Sequence, residues 1–175
     1  MTKTILYLVS TRDKRIQLAK TDDYYNEFPW GHAAVFHNLE PLGWQVNRLG
    51  LHDAWSPLAV ARRMKNDAPT LVLTNSVIGL HPVIARRLFC RWRGPIVATW
   101  DDFYEVIWLA NWGWLAGRFM RWFEKQIIMR SDFVITISYH NQRRAEAWGK
   151  KTWYIPNGCD EPVYDINACP FRLSG

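Results

Sequence analysis

Asp101 and Asp102 follow directly on an apolar run, Ile96-Val97-Ala98-Thr99-Trp100, and Glu105 comes one turn later. Carboxylates gathered at the end of a buried strand can orient or deprotonate a substrate hydroxyl, and Asp101 and Asp102 are the candidate catalytic pair. The same two residues can equally cap the helix that follows them. Ser138 ends a second apolar run, Phe133 to Ile137, and joins Glu105 as a candidate substrate-binding residue. Gly31 is the third: it opens a predicted helix, where free backbone N–H groups can hold a phosphate, although a plain turn glycine reads the same way. Neither G-x-G-x-x-G nor G-x-x-x-x-G-K-[ST] occurs, which argues against a dinucleotide enzyme or a P-loop NTPase. No D-x-D stands beside the aspartates, and His32 and His37 are five apart, off the i, i+4 spacing of a helical metal pair, so no metal site is expected.

These residues need a frame that brings distant loops together, and the hydrophobic pattern supplies one. Apolar runs at Lys3–Ser10, Thr70–Thr74, Ile96–Trp100 and Phe133–Ile137 read as buried strands of a parallel sheet, and Trp44–Leu49 and Thr152–Ile155 read as strands as well. Between them lie predicted helices at about 32–42, 56–65, 78–92 and 138–148, the second opened by the cap-and-proline pair Ser56-Pro57. Such alternation predicts an α/β fold, a Rossmann-like parallel sheet flanked by helices, with ligands at the carboxyl ends of its strands. The long polar stretch from Thr11 to Trp30 reads as a functional loop after the first strand. An aromatic segment, Phe103 to Trp114, precedes a predicted amphipathic helix with Leu115, Phe119, Trp122, Phe123 and Ile127 on one face and Arg118, Arg121 and Lys125 on the other. That apolar stripe is either core or, with its basic neighbours, a surface that rests on an anionic membrane.

Composition narrows the class. With 175 residues, 49% hydrophobic and 22% charged, the chain suits one globular domain rather than a disordered or repeat protein. Cys90, Cys159 and Cys169 are odd in number and lack C-x-x-C spacing, which predicts reduced thiols rather than a disulfide framework. No cleavage site follows the short N-terminal apolar run and no stretch is long enough to span a bilayer, so the expectation is a cytoplasmic protein, peripheral to the inner face of the membrane if its basic face engages lipid. The net charge of +6 invites anionic partners, but no base-reading motif is present and nucleic acid is not expected among them.

The last third combines Glu124 in a long helix, then Arg130-Ser131-Asp132-Phe133-Val134-Ile135-Thr136-Ile137-Ser138, then Tyr154-Ile155-Pro156-Asn157-Gly158-Cys159-Asp160. This order resembles the end of the N-terminal domain in retaining GT-B glycosyltransferases of family 4, also called glycosyl transferases group 1. Gly31 and Gly43-Trp44-Gln45-Val46 are similar to the start of that domain. The resemblance implies one half of a GT-B fold, with residues 1–160 as the acceptor-side domain and 161–175 as the start of a linker. It implies a hexosyltransferase type of activity, passing a sugar from a nucleotide-sugar donor to an intracellular, lipid-linked or polysaccharide acceptor without cofactor or protein metal. Asn157, Gly158 and Asp160 would then form the interdomain hinge. The family's paired donor-domain glutamates have no counterpart here, so the expectation is a unit inactive without a donor-binding half. The alternative is a non-catalytic subunit that recruits a separate donor-binding chain to a membrane or partner. Many family members place a histidine where this chain has Trp100-Asp101-Asp102, and Asp101 is expected to take that role.

Overall fold

The computed structural model describes residues 3–9, 39, 41–50, 54–75, 78–100 and 104–155. The predicted helix at 32–42 thus lies almost wholly outside the described residues, as do Gly31, Asp101, Asp102, Asn157, Gly158 and Asp160.

Strand β1 (Lys3–Val9) pairs with β2 (Trp44–Gly50) on one side and β3 (Leu71–Asn75) on the other, and β4 (Ile96–Trp100), β5 (Phe133–Thr136) and β6 (Trp153–Tyr154) extend the sheet in turn. Every pairing is parallel, and the order is β2-β1-β3-β4-β5-β6. The chain steps from β1 to β2 on one flank and returns to β3 on the other, so the topological switch point lies between the carboxyl ends of β1 and β3. The chain leaves β1 at that point.

Alternation along β1 explains why both faces need cover. Leu6 and Leu8 join Val60, Met64, Val72 and Ile96 on one side, whereas Ile5 and Tyr7 join Leu73 and the half-buried Val46 and Val97 on the other. Helix α1 (Pro57–Asp67) covers the first side with Val60, Ala61 and Met64. Its start follows the pattern read from the residues: Ser56 Oγ accepts the Ala59 N–H at 3.2 Å, and Pro57 opens the helix where no N–H is needed.

The next helix corrects the predicted span of 78–92. Helix α2 (Leu80–Ile84) runs into a π-helical turn, Ala85–Phe89, and Cys90 is already extended. Tertiary bonds override helix propensity here: Trp92 Nε1–H donates to the Pro69 carbonyl at 2.7 Å and Arg86 to the Gly94 carbonyl at 3.2 Å, which hold residues 90–95 along the strand ends.

Past β4 the chain forms a hairpin of α3 (Tyr104–Trp112) and α4 (Trp114–Arg130), joined at Gly113, whose φ of 85° is accessible to glycine. Helix α5 (Tyr139–Ala147) then leads to β6. The core assignment of α4 needs a second correction. Its buried residues are Gly117, Met120, Glu124, Ile127 and Ile128, while Leu115, Phe119 and Trp122 are 73, 52 and 55% exposed. Of the predicted apolar stripe only Ile127 is buried, with Phe123 half-buried. At 100° per residue the exposed three lie opposite the buried face, and Arg118, Arg121 and Lys125 run between the two.

Candidate functional site

The carboxyl edge of the sheet is built around Trp100, the last residue of β4 and fully buried. Its carbonyl accepts the Thr136 hydroxyl at 2.9 Å and the Asn141 side-chain amide at 3.5 Å. Its indole N–H donates to Glu124 Oε1 at 3.2 Å, and its ring stacks on Trp148 with centroids 5.5 Å apart. Four neighbours from β5, α4 and α5 thus fix the point at which the chain leaves the sheet.

Glu105, in the first turn of α3, is tied from the other side. Its Oε2 lies 2.5 Å from Arg144 Nη2, and its Oε1 lies 3.8 Å from Arg121 Nη1. Arg144 rises from α5, stands over the rings of Trp100 and Trp148 at 5.0 and 5.3 Å, and approaches Glu124 Oε2 at 3.6 Å. One guanidinium therefore serves two carboxylates and two indoles, the planar, multi-donor geometry that suits arginine and not lysine. Only residues 101–103 separate the held end of β4 from the held first turn of α3. The candidate catalytic Asp101 and Asp102 lie in that connection, outside the described residues.

Glu124 is 1% exposed, and burial raises its carboxyl from an ordinary 4.5 to about 6. The Trp100 indole and the Arg144 charge pull the other way without cancelling the desolvation. Oε2 has no hydrogen-bond partner, so Arg144 reaches it through charge alone.

Ser138 sits at the same edge, half-buried. Its N–H donates to Thr136 Oγ1 at 3.2 Å, and its own Oγ accepts the Asn141 N–H at 3.5 Å as the cap of α5. The structure thus brings Glu105 and Ser138 to one rim through Thr136, Asn141, Trp100 and Arg144. Arg144, Asn141 and Trp148 were not singled out from the residue pattern. They stand 20–48 residues from the strand end or carboxylate they serve, and only Ser138 capping a helix just after β5 hinted that α5 returns to the rim.

Asp132, within the recognisable segment, works at the opposite end. Its Oδ2 accepts the Ile96 N–H at 2.8 Å and pairs with Arg86, joining the starts of β4 and β5. That aspartate organises the sheet and is remote from the rim. Among the described residues no three His, Cys, Asp or Glu side chains cluster as a metal site would require.

A parallel six-stranded sheet with helices around it and its polar groups drawn to the carboxyl edge is a Rossmann-like α/β domain, one half of a GT-B fold. The chain belongs to Glycosyltransferase Family 4, whose family model matches residues 13–161. No curated protein matches it.

Proposed function

We propose that this domain is the acceptor-side half of a hexosyltransferase, receiving a sugar from a nucleotide-sugar donor that a second Rossmann-like domain binds. Membership of the family supports the transfer chemistry. The observation that carries the site is the double clamp on residues 101–103: Trp100 is held by Thr136 and Asn141, and Glu105 by Arg144. General-base work on an acceptor hydroxyl demands a carboxylate beside fixed groups, and Trp100 and Glu105 are the fixed groups on either side of these residues. Asp101 is the proposed base, with Asp102, Glu105 and Ser138 positioning the acceptor and the loop of Gly31 facing the donor phosphates.

The test incubates the purified chain with uridine- and guanosine-diphosphate hexoses, alone and together with a donor-binding domain from another family 4 enzyme. No transfer by the chain alone, transfer by the pair, and a loss of roughly 100-fold or more in kcat for Asp101→Asn are expected. Robust turnover by the chain alone overturns the reading. The exposed apolar hairpin favours a second reading, a non-catalytic subunit that brings a separate donor-binding chain to a membrane, with the hairpin as its lipid contact. In that case Asp101→Asn leaves the activity of the pair unchanged.

A further inference from the structure

The α3–α4 hairpin holds to the rest of the chain by a narrow seam. None of the described α3 residues is buried, and α3 packs mainly on α4, with Glu105 also paired to Arg144. Only the buried face of α4 reaches the sheet and α2, where Ile127 lies under Gly79. Helix α4 runs against the strands, so its first half and all of α3 stand out beside the carboxyl edge. Val106, Ile107, Trp112, Trp114, Leu115, Phe119 and Trp122 of the hairpin are all exposed, more apolar surface than single scattered residues account for. Rings from the two helices are neighbours: Trp108 lies against Trp112 at 4.8 Å and near Phe119 at 6.4 Å, which links the aromatic surfaces of α3 and α4.

Charge decides what covers it. The hairpin's only two acidic residues are Glu105, engaged by Arg144 and Arg121, and Glu124, buried against Trp100. Against them Arg118, Arg121 and Lys125 line an open groove of about 510 Å³ beside Trp114 and Trp122. Arg118 stands over the Trp114 ring at 4.8 Å. Apolar side chains flanked by tryptophan and cations, with every carboxylate already taken, match the boundary between acyl chains and anionic headgroups and mismatch an ordinary protein partner. No helix among the described residues is long and apolar enough to cross a membrane, so the contact is one of lying on the surface.

We infer that the outer face of the α3–α4 hairpin docks on an anionic lipid bilayer, with Leu115, Phe119 and Trp122 entering the acyl boundary and Arg118, Arg121 and Lys125 meeting lipid phosphates in the groove. The inference stands apart from the proposed transfer reaction and needs no substrate to test. It sets the bilayer beside the rim that carries Trp100, Glu105 and Ser138.

The test is co-sedimentation of the full chain with vesicles of phosphatidylcholine alone and with phosphatidylglycerol added, paired with quenching of its tryptophan fluorescence by brominated acyl chains. Retention on anionic vesicles, quenching, and weak retention on neutral ones are expected. Leu115→Ser with Trp122→Ser should reduce retention at least tenfold, and Arg118→Gln with Lys125→Gln roughly tenfold or more, since each basic group at an anionic surface contributes about fivefold. Arg87→Gln with Arg91→Gln removes the same charge from the basic pocket beside α1 and should change retention less than threefold. Circular dichroism checks the fold of every variant, and quenching of the unmodified chain stands without any variant. Absence of quenching, equal binding to neutral vesicles, an equal loss in the Arg87/Arg91 variant, or a self-associated chain dispersed by the Leu115/Trp122 changes and indifferent to lipid would each overturn the inference.

Discussion

Arg144 holds two carboxylates with unequal needs. Glu105 is partly solvated and can find water if the guanidinium is removed, whereas Glu124 is buried and cannot. Arg144→Ala is therefore expected to destabilise the domain by about 3 kcal/mol at pH 8, the scale of a buried charge left without its partner. The loss should shrink at pH 5, because Glu124 then carries a proton and needs no counter-charge. Glu124→Gln tests the same point from the other side. The Glu124 pKa is raised from 4.5 to about 6 in the folded chain, so between those values the folded state holds a proton that the unfolded state has lost, and stability falls as pH rises through the window. The deficit at neutral pH is about 2 kcal/mol. Glutamine keeps an acceptor for the Trp100 indole and removes the charge. The variant should unfold at a higher temperature than the parent at pH 7.5, by roughly 4–8 °C for a chain of this size, and at nearly the same temperature at pH 4. Thermal unfolding followed by circular dichroism across pH 4–8 reads both substitutions. Pairing them should recover most of the Arg144→Ala loss.

The hairpin shows what a sequence pattern can and cannot convey about an element. Strands were legible because a parallel strand buried on both faces must be apolar throughout, and α1 because Ser56-Pro57 is a start signal with a mechanical cause. Helix α4 misled because its inward face includes Gly117 and Glu124, which look like outward residues, while Leu115, Phe119 and Trp122 look inward. Glycine is there for contact and glutamate for the Trp100 indole, and both causes lie in other elements. The rim was legible only as strand ends, those of β4 and β5, but the side chains that hold it come from distant segments. Gly117 makes the seam testable. A Cβ there would stand 2.9 Å from Leu109 Cβ and 3.2 Å from its Cα, so a larger side chain must push α3 away from α4. Gly117→Val should destabilise by about 1–3 kcal/mol. Hydrogen exchange should localise the change, with amides of residues 104–112 exchanging faster while β1 and β3 keep their protection.

At the scale of the whole molecule, a net charge of +6 states little until the cations are sorted by what they face. Arg63 is paired with Asp67, Arg86 with Asp132, and Arg144 with Glu105 and Glu124. Among the described residues two clusters of cations line open pockets: Lys65, Arg87, Arg91 and Arg93 beside α1, and Arg118, Arg121 and Lys125 in the groove of α4. The first lies near the amino ends of the strands, since residues 91–93 lead into β4, and the second near the rim. Any flexible polyanion can use both, through phosphate or sulfate contacts that release counterions and carry no sequence information. Heparin and duplex DNA should therefore bind weakly at 50 mM salt, without preference among DNA sequences, and let go almost completely by 300 mM. Neutralising either cluster should weaken that binding by a similar factor. A bilayer is flat and reaches one side at a time, so vesicle retention should follow the α4 cluster alone and persist in part at 300 mM salt, where buried tryptophan and leucine hold what screened charges no longer do. Parallel salt titrations on heparin, a random-sequence duplex and phosphatidylglycerol vesicles separate the two behaviours. A duplex affinity that survives 300 mM salt or discriminates between sequences would make nucleic acid the partner and the fold's charge a recognition surface.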